Sequence, residues 1–138
     1  MADAPKRILI IDDDAALVDV LREYIDTHFA QNTYIVETAG NGPDGLRVVR
    51  GQRPDLVILD IEMPEMNGVE VLKQIRAIDP RIPVIMLTGT ADMTATAATL
   101  EHGAVSYAPK PLNLQYLDHL LALYLTPPRG RPSGPPRL

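Results

Sequence analysis

The sequence predicts an α/β fold: a doubly wound, five-stranded parallel sheet with helices on both faces. Five apolar segments of strand length alternate with segments of helical length, which is the pattern of consecutive βα units joined by right-handed crossovers. Three of the strand segments, 7–11, 55–60 and 82–87, are continuous aliphatic runs. Such runs are typical of a parallel sheet, because helices cover both of its faces and neither side of a strand meets water.

The spacing of apolar residues and the start and stop signals of helices predict the remaining elements. Short segments at 34–38 and 105–108 complete the strands. The helix predicted over 43–51 begins with proline and ends with glycine, which are start and stop signals. Two further helices are predicted over 93–102 and 113–125. Helical spacing groups apolar residues on one face of each remaining helix: Leu17, Val20, Leu21, Tyr24 and Ile25 in 15–28, and Val69, Leu72, Ile75 and Ile78 in 68–78.

The composition describes one domain with an acidic body and a basic tail. The 138 residues include no cysteine, which excludes disulfides, thiolate metal sites and a cysteine nucleophile. The net charge is −5, and 127–138 holds three arginines and no acid, so 1–126 carries −8. We expect 1–126 to form the domain and the Pro/Gly-rich 127–138 to be a disordered tail or a linker. The acidic body argues against nucleic-acid binding and fits a magnesium ion or a basic partner better.

Nothing in the sequence predicts secretion or a membrane span. The longest apolar runs fall well short of the roughly 20 residues that cross a bilayer. The N-terminal segment MADAPKR has no apolar signal core behind it. We therefore expect a cytoplasmic protein that has no membrane partner.

Polar residues stand at or just after the ends of four of the apolar runs. Asp12 and Asp13 follow the first strand, Asp60 ends the third, and Thr88 follows the fourth, while Lys110 comes just after the fifth. An open parallel sheet binds its ligand outside the carboxyl ends of its strands. We therefore expect three carboxylates, one hydroxyl and one ammonium to meet at one rim of the sheet, where the carboxylates repel each other until a cation joins them.

Each of these residues also has a simpler explanation when it is taken singly. Asp14, or Asp13, could cap the helix that follows, since aspartate is favoured there. Thr88 could be a turn residue and Lys110 a solvated loop lysine. Capping does not account for three consecutive acids together with Asp60, so the combination favours a functional site.

Four stretches carry a resemblance to a known family: ILIIDDDAAL, PDLVILDIEMPEMNGVEVL, IPVIMLTGTAD and GAVSYAPKPL. In order and spacing they resemble the receiver domain of two-component response regulators, related to CheY, over residues 7–125. The resemblance implies a flavodoxin-like strand order of 2-1-3-4-5. It also implies a histidine kinase or a phosphotransfer protein as the partner that donates phosphate.

The resemblance assigns a role to each residue at the rim. Asp60 matches the phosphoacceptor, a carboxylate nucleophile that takes up a phosphoryl group. The Mg²⁺ ligands would be Asp13 directly, Asp12 through water, and the backbone carbonyl of Glu62, with Asp60 beside them; these are the oxygen ligands that Mg²⁺ prefers. The phosphate would be held by Lys110, the Thr88 hydroxyl and the Gly89 backbone N–H, because phosphoryl transfer needs its charge neutralised.

The same family has features at three further positions. The Lys110–Pro111 bond matches a step that is usually cis, as only X–Pro bonds commonly are. Tyr107 matches the aromatic switch position, although ordinary packing of the fifth strand would also explain it. Gly68 matches a glycine that we expect to form a turn before the third helix.

Two hypotheses for the function follow, with a third that the motifs disfavour. The first is a phosphoacceptor receiver that switches its helix 4–strand 5–helix 5 face; the alternative is a receiver-like binding module that works without phosphate. An unrelated phosphatase or nucleotide-binding enzyme lacks support, since the sequence has no Gly-rich phosphate loop. Beyond limited self-catalysed phosphorylation and dephosphorylation, we expect no enzymatic activity.

The last helix predicts a partner surface. One apolar stripe, from Leu114 to Leu125, is enough to seat it on the sheet. A second stripe of Tyr116, Leu120 and Leu123 should then be exposed in a monomer. Exposed apolar patches often mark interfaces, so we expect a homodimer or an output partner there. The alternative is that the tail or a neighbouring helix covers the stripe.

Overall fold

The computed structural model describes residues 6–28, 34–89 and 93–125. Its ten elements alternate strictly between strand and helix: β1 (Lys6–Ile11), α1 (Ala15–His28), β2 (Tyr34–Ala39), α2 (Gly42–Gly51), β3 (Leu56–Asp60), α3 (Gly68–Ile78), β4 (Val84–Thr88), α4 (Met93–Glu101), β5 (Ser106–Pro109) and α5 (Leu114–Leu125). Every predicted element is present, with bounds that differ by two residues at most. The tail predicted at 127–138 lies outside the described residues.

The five strands form one parallel sheet in the order β2-β1-β3-β4-β5. Both the fold class and the strand order are therefore confirmed. The chain reverses direction across the sheet after β2, so the switch point falls between β1 and β3. Their carboxyl ends carry the aspartates that we expected to converge, which is where such a sheet binds its ligand.

Alternating side chains of the strands fill two cores, one on each face of the sheet. Leu9, Val57 and Met86 point to the face covered by α2 and α3. Ile8, Ile58 and Ile85 point to the face covered by α1 and α5. All six side chains are fully buried, which explains why the strands read as unbroken aliphatic runs. Among the described residues, no helix has the length and apolarity that crossing a membrane requires.

Side-chain caps begin four of the helices, and three of the caps are asparagines. Asp14 Oδ1 accepts from the Leu17 N–H at 3.2 Å at the start of α1, which confirms Asp14 as the capping residue. Asn41, Asn67 and Asn113 accept in the same way from residues three further on, at 2.8, 3.0 and 3.1 Å. Each bond satisfies one of the amide groups that a helix start leaves without a partner.

The helix faces differ from the prediction in detail. Val20 and Ile78 belong to the predicted stripes but are 47% and 38% exposed. Val71, which the stripe of α3 omitted, is fully buried beside Leu72 and Ile75. Val20 and Ile78 each lie at an edge of their predicted stripe, where the sheet no longer covers the helix. A count of helical spacing does not show where that coverage ends.

Leu120 corrects the prediction for α5. It is 5% exposed and packs in the core with Leu117 and Leu121, so it does not belong to an exposed second stripe. The apolar stripe of a surface helix is wide enough to include both i+3 and i+4 neighbours, and Leu120 is the i+3 neighbour of Leu117. Tyr116 and Leu123 are exposed at 41% and 62%, so that part of the prediction holds.

Candidate functional site

The carboxyl ends of β1 and β3 bring three carboxylates together. Asp12 and Asp60 are each 2% exposed, whereas Asp13 is exposed. One carboxylate oxygen from each of the three lies within 4.8 Å of the others. The predicted acidic cluster is therefore present as a compact group with one open side.

Backbone hydrogen bonds fix the end of β1 where Asp12 stands. The Asp12 N–H donates to the Ala39 carbonyl at the end of β2 at 3.0 Å. The Asp14 N–H donates to Asp12 Oδ1 at 2.9 Å, which orients the carboxylate. Asp14 is thus the cap of α1 and an anchor for Asp12, and it stays outside the acidic cluster itself.

Lys110 follows β5, the edge strand of the sheet, and its side chain extends to the cluster. The Lys110 N–H donates to the Thr88 carbonyl at 2.7 Å, which ties the end of β5 to the end of β4. The Lys110–Pro111 bond is cis, as predicted. The Nζ atom lies 3.2 Å from Asp12 Oδ2 and 3.3 Å from Asp60 Oδ1. One ammonium group therefore serves two buried carboxylates.

The electrostatics of the cluster disfavour its full ionisation. Burial, together with the charge of Asp12, raises the pKa of Asp60 to about 6, although Lys110 opposes the shift. Burial alone would lower the pKa of Lys110, but the charges of Asp12 and Asp60 outweigh it and raise that pKa. The lysine therefore stays charged, and its single charge leaves the carboxylates under-compensated.

The donor set fits a small divalent cation. Asp12 Oδ2 is buried and finds no hydrogen-bond partner among the described residues, although it lies in ion-pair range of Lys110. Because Asp60 shares that ammonium group, the buried carboxylates keep uncompensated negative charge, which is costly unless a further cation joins them. Three carboxylates with an open side suit Mg²⁺, which takes few protein oxygens and keeps several waters. The pattern of the site thus agrees with the predicted metal.

The other predicted residues surround this cluster. Thr88 is 4% exposed at the end of β4. Gly89 follows it, and a methyl group on Gly89 would touch Lys110 Cδ at 3.4 Å, so the glycine lies along the lysine side chain. The Glu62 N–H donates to Asp60 Oδ1 at 3.3 Å. The metal-binding role of the Glu62 carbonyl stays a prediction.

Tyr107 lies on β5, and its side chain is 38% exposed. The Tyr116 hydroxyl donates to the Tyr107 carbonyl at 3.3 Å, which joins β5 to α5. The two tyrosines line a surface cavity with Pro109 and Asn113. Tyr107 thus lies partly at the surface, and its role as a switch stays a prediction, as does the alternative of ordinary strand packing.

The loop between β3 and α3 contains features that the sequence did not predict. Glu65 has a φ of 71°, a left-handed conformation that usually takes glycine or asparagine. Gly68 is expected in a turn, but it begins α3 and its N–H donates to the Ile61 carbonyl at 2.7 Å. No signal in the sequence marks Glu65, because the left-handed residue of a loop is normally found by looking for glycine.

Fold and site together define a doubly wound α/β domain with an acidic, lysine-bearing cluster at its switch point. The family model described as the response regulator receiver domain matches residues 8–122. The chain therefore belongs to the response regulator receiver family, whose members act in two-component signal transduction. The resemblance seen in the sequence is confirmed.

Individual relatives agree with this assignment. The chain is 36% identical over 133 residues to the response regulator MprA of Mycobacterium sp. (strain KMS), covering 95% of this chain and 56% of that protein. It is 33% identical over 124 residues to the probable C4-dicarboxylate response regulator DctR of Bacillus subtilis (strain 168), covering 90% and 54%. The chain thus spans about half the length of these curated relatives.

Solved structures give the same fold. A CheY-like response regulator receiver domain protein from Methanospirillum hungatei JF-1 superimposes with a TM-score of 0.80 at 32% identity. The alignment covers 87% of this chain and 93% of that one. The likeness therefore extends over the whole sheet and its helices rather than over one motif.

Proposed function

We propose that this chain is a phosphoacceptor receiver in which Asp60 takes a phosphoryl group from a histidine kinase or a phosphotransfer protein. The observation that carries the proposal is the geometry around Asp60: a buried carboxylate 3.3 Å from Lys110 Nζ, clustered with Asp12 and Asp13. In the step itself, an Asp60 oxygen forms a bond to phosphorus while the phosphorus–nitrogen bond to the donor imidazole breaks. The freed imidazole nitrogen keeps the bonding pair and takes up a proton.

The residues of the chain position the acceptor and compensate charge. Lys110 and the Glu62 N–H both contact Asp60 Oδ1, so this oxygen is held in place before the donor arrives. Lys110 would move its contact from the carboxylate to the phosphoryl oxygens, where positive charge stabilises the transition state. The Thr88 hydroxyl and the Gly89 N–H would supply further donors from the end of β4.

A Mg²⁺ ion completes this proposal. Asp12, Asp13, Asp60 and the carbonyl of Glu62 would hold it, and when bound it supplies the positive charge that the carboxylates and the phosphoryl group both lack. The domain needs no further cofactor for the transfer. We propose that it is not an enzyme in its own right, beyond limited catalysis of its own phosphorylation and dephosphorylation, and that it acts in the cytoplasm.

Labelling with a small phosphodonor tests the acceptor. Incubation with acetyl phosphate and Mg²⁺ should add one phosphoryl group, and mass spectrometry should place it on Asp60. Asp60→Asn should abolish labelling while circular dichroism shows the same fold. Asp44→Asn, which changes an exposed acid of α2, should label normally. A phosphoryl group on Asp12 or Asp13, or a wild type that does not label, would contradict the proposal and favour a binding module without phosphate.

We further propose that phosphorylation switches the face formed by α4, β5 and α5. The phosphoryl group would draw the Thr88 hydroxyl toward it, and the exposed Tyr107 ring would move into the space behind it, as a shift between two packings. Thr88→Ala should still label at Asp60 but should lose the response. A Tyr107 ring that keeps one rotamer with and without beryllium fluoride, a phosphate mimic, would contradict this coupling.

The same face would carry the partner, either a second copy of the chain or an output protein. Tyr116 and Leu123 are exposed apolar residues of α5, and Leu100 of α4, Val105, and Tyr107 of β5 are exposed as well. Leu123→Glu tests this surface without disturbing the core, which a change at Leu120 would. Light scattering of the wild type, with and without beryllium fluoride, should show association that Leu123→Glu weakens and that Lys73→Glu, on exposed α3 surface, leaves intact.

A further inference from the structure

Gly68 lies directly against the main chain of the proposed acceptor. A methyl group at its Cβ position would lie 2.7 Å from Ile61 Cα and 3.0 Å from the carbonyl carbon of Asp60, and would overlap the Asp60 carbonyl oxygen. These atoms belong to the backbone, so no side-chain rotation relieves the overlap. The glycine is therefore required for the close approach of α3 to the end of β3.

The backbone of the acceptor is held on its other side by the sheet. Asp60 pairs with Leu87 in the register of β3 and β4. The Ile61 N–H donates to the Leu87 carbonyl at 3.0 Å, while the Ile61 carbonyl accepts from the Gly68 N–H at 2.7 Å. Ile61, the residue after Asp60, is thus held by hydrogen bonds to β4 on one side and to the first turn of α3 on the other.

The start of α3 is equally constrained. Asn67 caps the helix, and Val71, Leu72 and Ile75 are fully buried on its inner face. A side chain at position 68 must therefore displace either the buried helix or the end of β3. Either movement would change the position of Asp60, because the next residue, Ile61, is hydrogen-bonded to both β4 and α3.

We infer that Gly68 is a positioning residue for Asp60, an inference that rests on the proposed function. The contact between α3 and the strand end sets where the Asp60 carboxylate stands relative to Lys110, Asp12 and Asp13. This role exceeds the turn that the sequence predicts, because it concerns the absence of a Cβ atom rather than a left-handed backbone. Intrinsic helix propensity points the other way, since alanine is favoured over glycine inside a helix.

The test is Gly68→Ala, assayed for Mg²⁺ affinity by titration calorimetry and for the rate of labelling by acetyl phosphate. We expect Mg²⁺ affinity and labelling rate per folded molecule to fall by about 10- to 100-fold, the loss typical of a misplaced reacting group. Both assays are carried out in sucrose, which favours compact states. The Mg²⁺ affinity and the labelling rate are then normalised to the folded fraction measured by circular dichroism. A purely structural role would lower the folded fraction and leave these normalised values unchanged.

Two controls separate positioning from stability. Gly51→Ala makes the same substitution at the end of α2, where nothing lies within 4 Å of the new methyl group, and should leave both values unchanged. Leu121→Ala removes a fully buried side chain of α5, and should lower the melting temperature without changing the normalised values.

Each outcome decides between the inference and the proposed function. Wild-type affinity and rate in Gly68→Ala would overturn the inference while leaving the proposed function intact. A variant that fails to fold even in sucrose would also overturn it, because the glycine would then be required for folding. A wild type that neither binds Mg²⁺ nor labels would overturn the proposed function itself.

Discussion

The carboxylates at the amino ends of the strands and those at the carboxyl ends differ in how many cationic groups they have as partners. At the amino ends of the strands, Asp79 accepts from Arg53 Nε at 2.7 Å and from Arg81 Nε at 3.1 Å. At the carboxyl ends, Asp12 and Asp60 share the single ammonium group of Lys110. Asp79 therefore has two guanidinium groups as partners, whereas the cluster of three acids has one ammonium group among the described residues.

The pKa values follow this difference. Hydrogen bonds from Arg81, with help from Arg53, hold the pKa of Asp79 well below its ordinary value. Burial and the charge of Asp12 raise the pKa of Asp60 to about 6. An acid whose pKa is lowered stabilises the fold at neutral pH, whereas an acid whose pKa is raised costs stability when it ionises. The amino-end rim thus contributes to stability, and the carboxyl-end rim is built for a cation.

The largest effect is expected from Lys110→Met, which removes the only cationic side chain that contacts the acidic cluster within the described part of the chain. Two buried carboxylates then lose their counter-charge, and we expect the metal-free protein to lose about 2–3 kcal/mol of unfolding free energy. Labelling of Asp60 should slow by at least about 10-fold. Urea denaturation and phosphodonor labelling measure the two effects. Unchanged stability would show that the buried carboxylates do not depend on Lys110, which would contradict the contrast between the rims. Lys73→Met, on the exposed side of α3, is the matched control.

A smaller effect is expected from Arg76→Met at the opposite rim. Arg76 donates to the Pro80 carbonyl at 2.7 Å and to the Ile82 carbonyl at 2.5 Å. Losing both bonds should cost about 1–3 kcal/mol of unfolding free energy, while Mg²⁺ affinity stays at the wild-type value. A change in Mg²⁺ affinity would contradict this, because it would mean that contacts at the amino-end rim influence metal binding at the carboxyl-end rim. Arg47→Met removes an exposed pair with Asp44, and should leave the unfolding free energy nearly unchanged, because exposed ion pairs contribute little.

The smallest effect is expected in the pH dependence that Asp79 contributes. Because its pKa is lowered on folding, its contribution is present above the ordinary aspartate pKa of 3.8 and is lost as pH falls through the folded pKa below that value. Asp79→Asn should therefore lower the melting temperature at pH 7 and reduce the difference in melting temperature between pH 7 and pH 2. An equal loss at both pH values would show that charge is not the cause. Asp55→Asn is a comparison at the same rim, since Asp55 accepts from the Arg7 N–H at 2.8 Å.

The sequence predicted the fold and the cluster because both depend on order along the chain. Aliphatic runs marked the strands, and the first polar residue after each run marked its carboxyl end, so Asp12, Asp60 and Thr88 could be placed at one rim without coordinates. The inner faces of the helices were predicted less well. Leu120 and Val71 belong to the two cores, and how much of a helix face the core covers depends on all the packed side chains together.

Two details, one at the site and one at the opposite rim, could not be predicted from the sequence, for a related reason. Gly68 appeared as a turn residue because a glycine does not reveal whether it allows a positive φ or a close approach. The pairing of Asp79 with Arg53 and Arg81 joins α3 to a residue 26 positions earlier, and no local pattern marks it. Both depend on distances between elements, which become definite only when the sheet is assembled.

The most direct test of the contrast between the rims compares Asp60→Asn with Asp79→Asn by unfolding free energy at pH 7.5, with and without Mg²⁺. The raised pKa of Asp60 means that its ionised form costs stability as pH rises through about 6, so without Mg²⁺ the variant Asp60→Asn should be more stable than the wild type by about 1–3 kcal/mol. It should also lose most of the stabilisation that Mg²⁺ gives the wild type. Asp79→Asn should be less stable than the wild type and should keep the full response to Mg²⁺. A metal-free Asp60→Asn that is less stable than the wild type, or that responds to Mg²⁺ as the wild type does, would contradict the account.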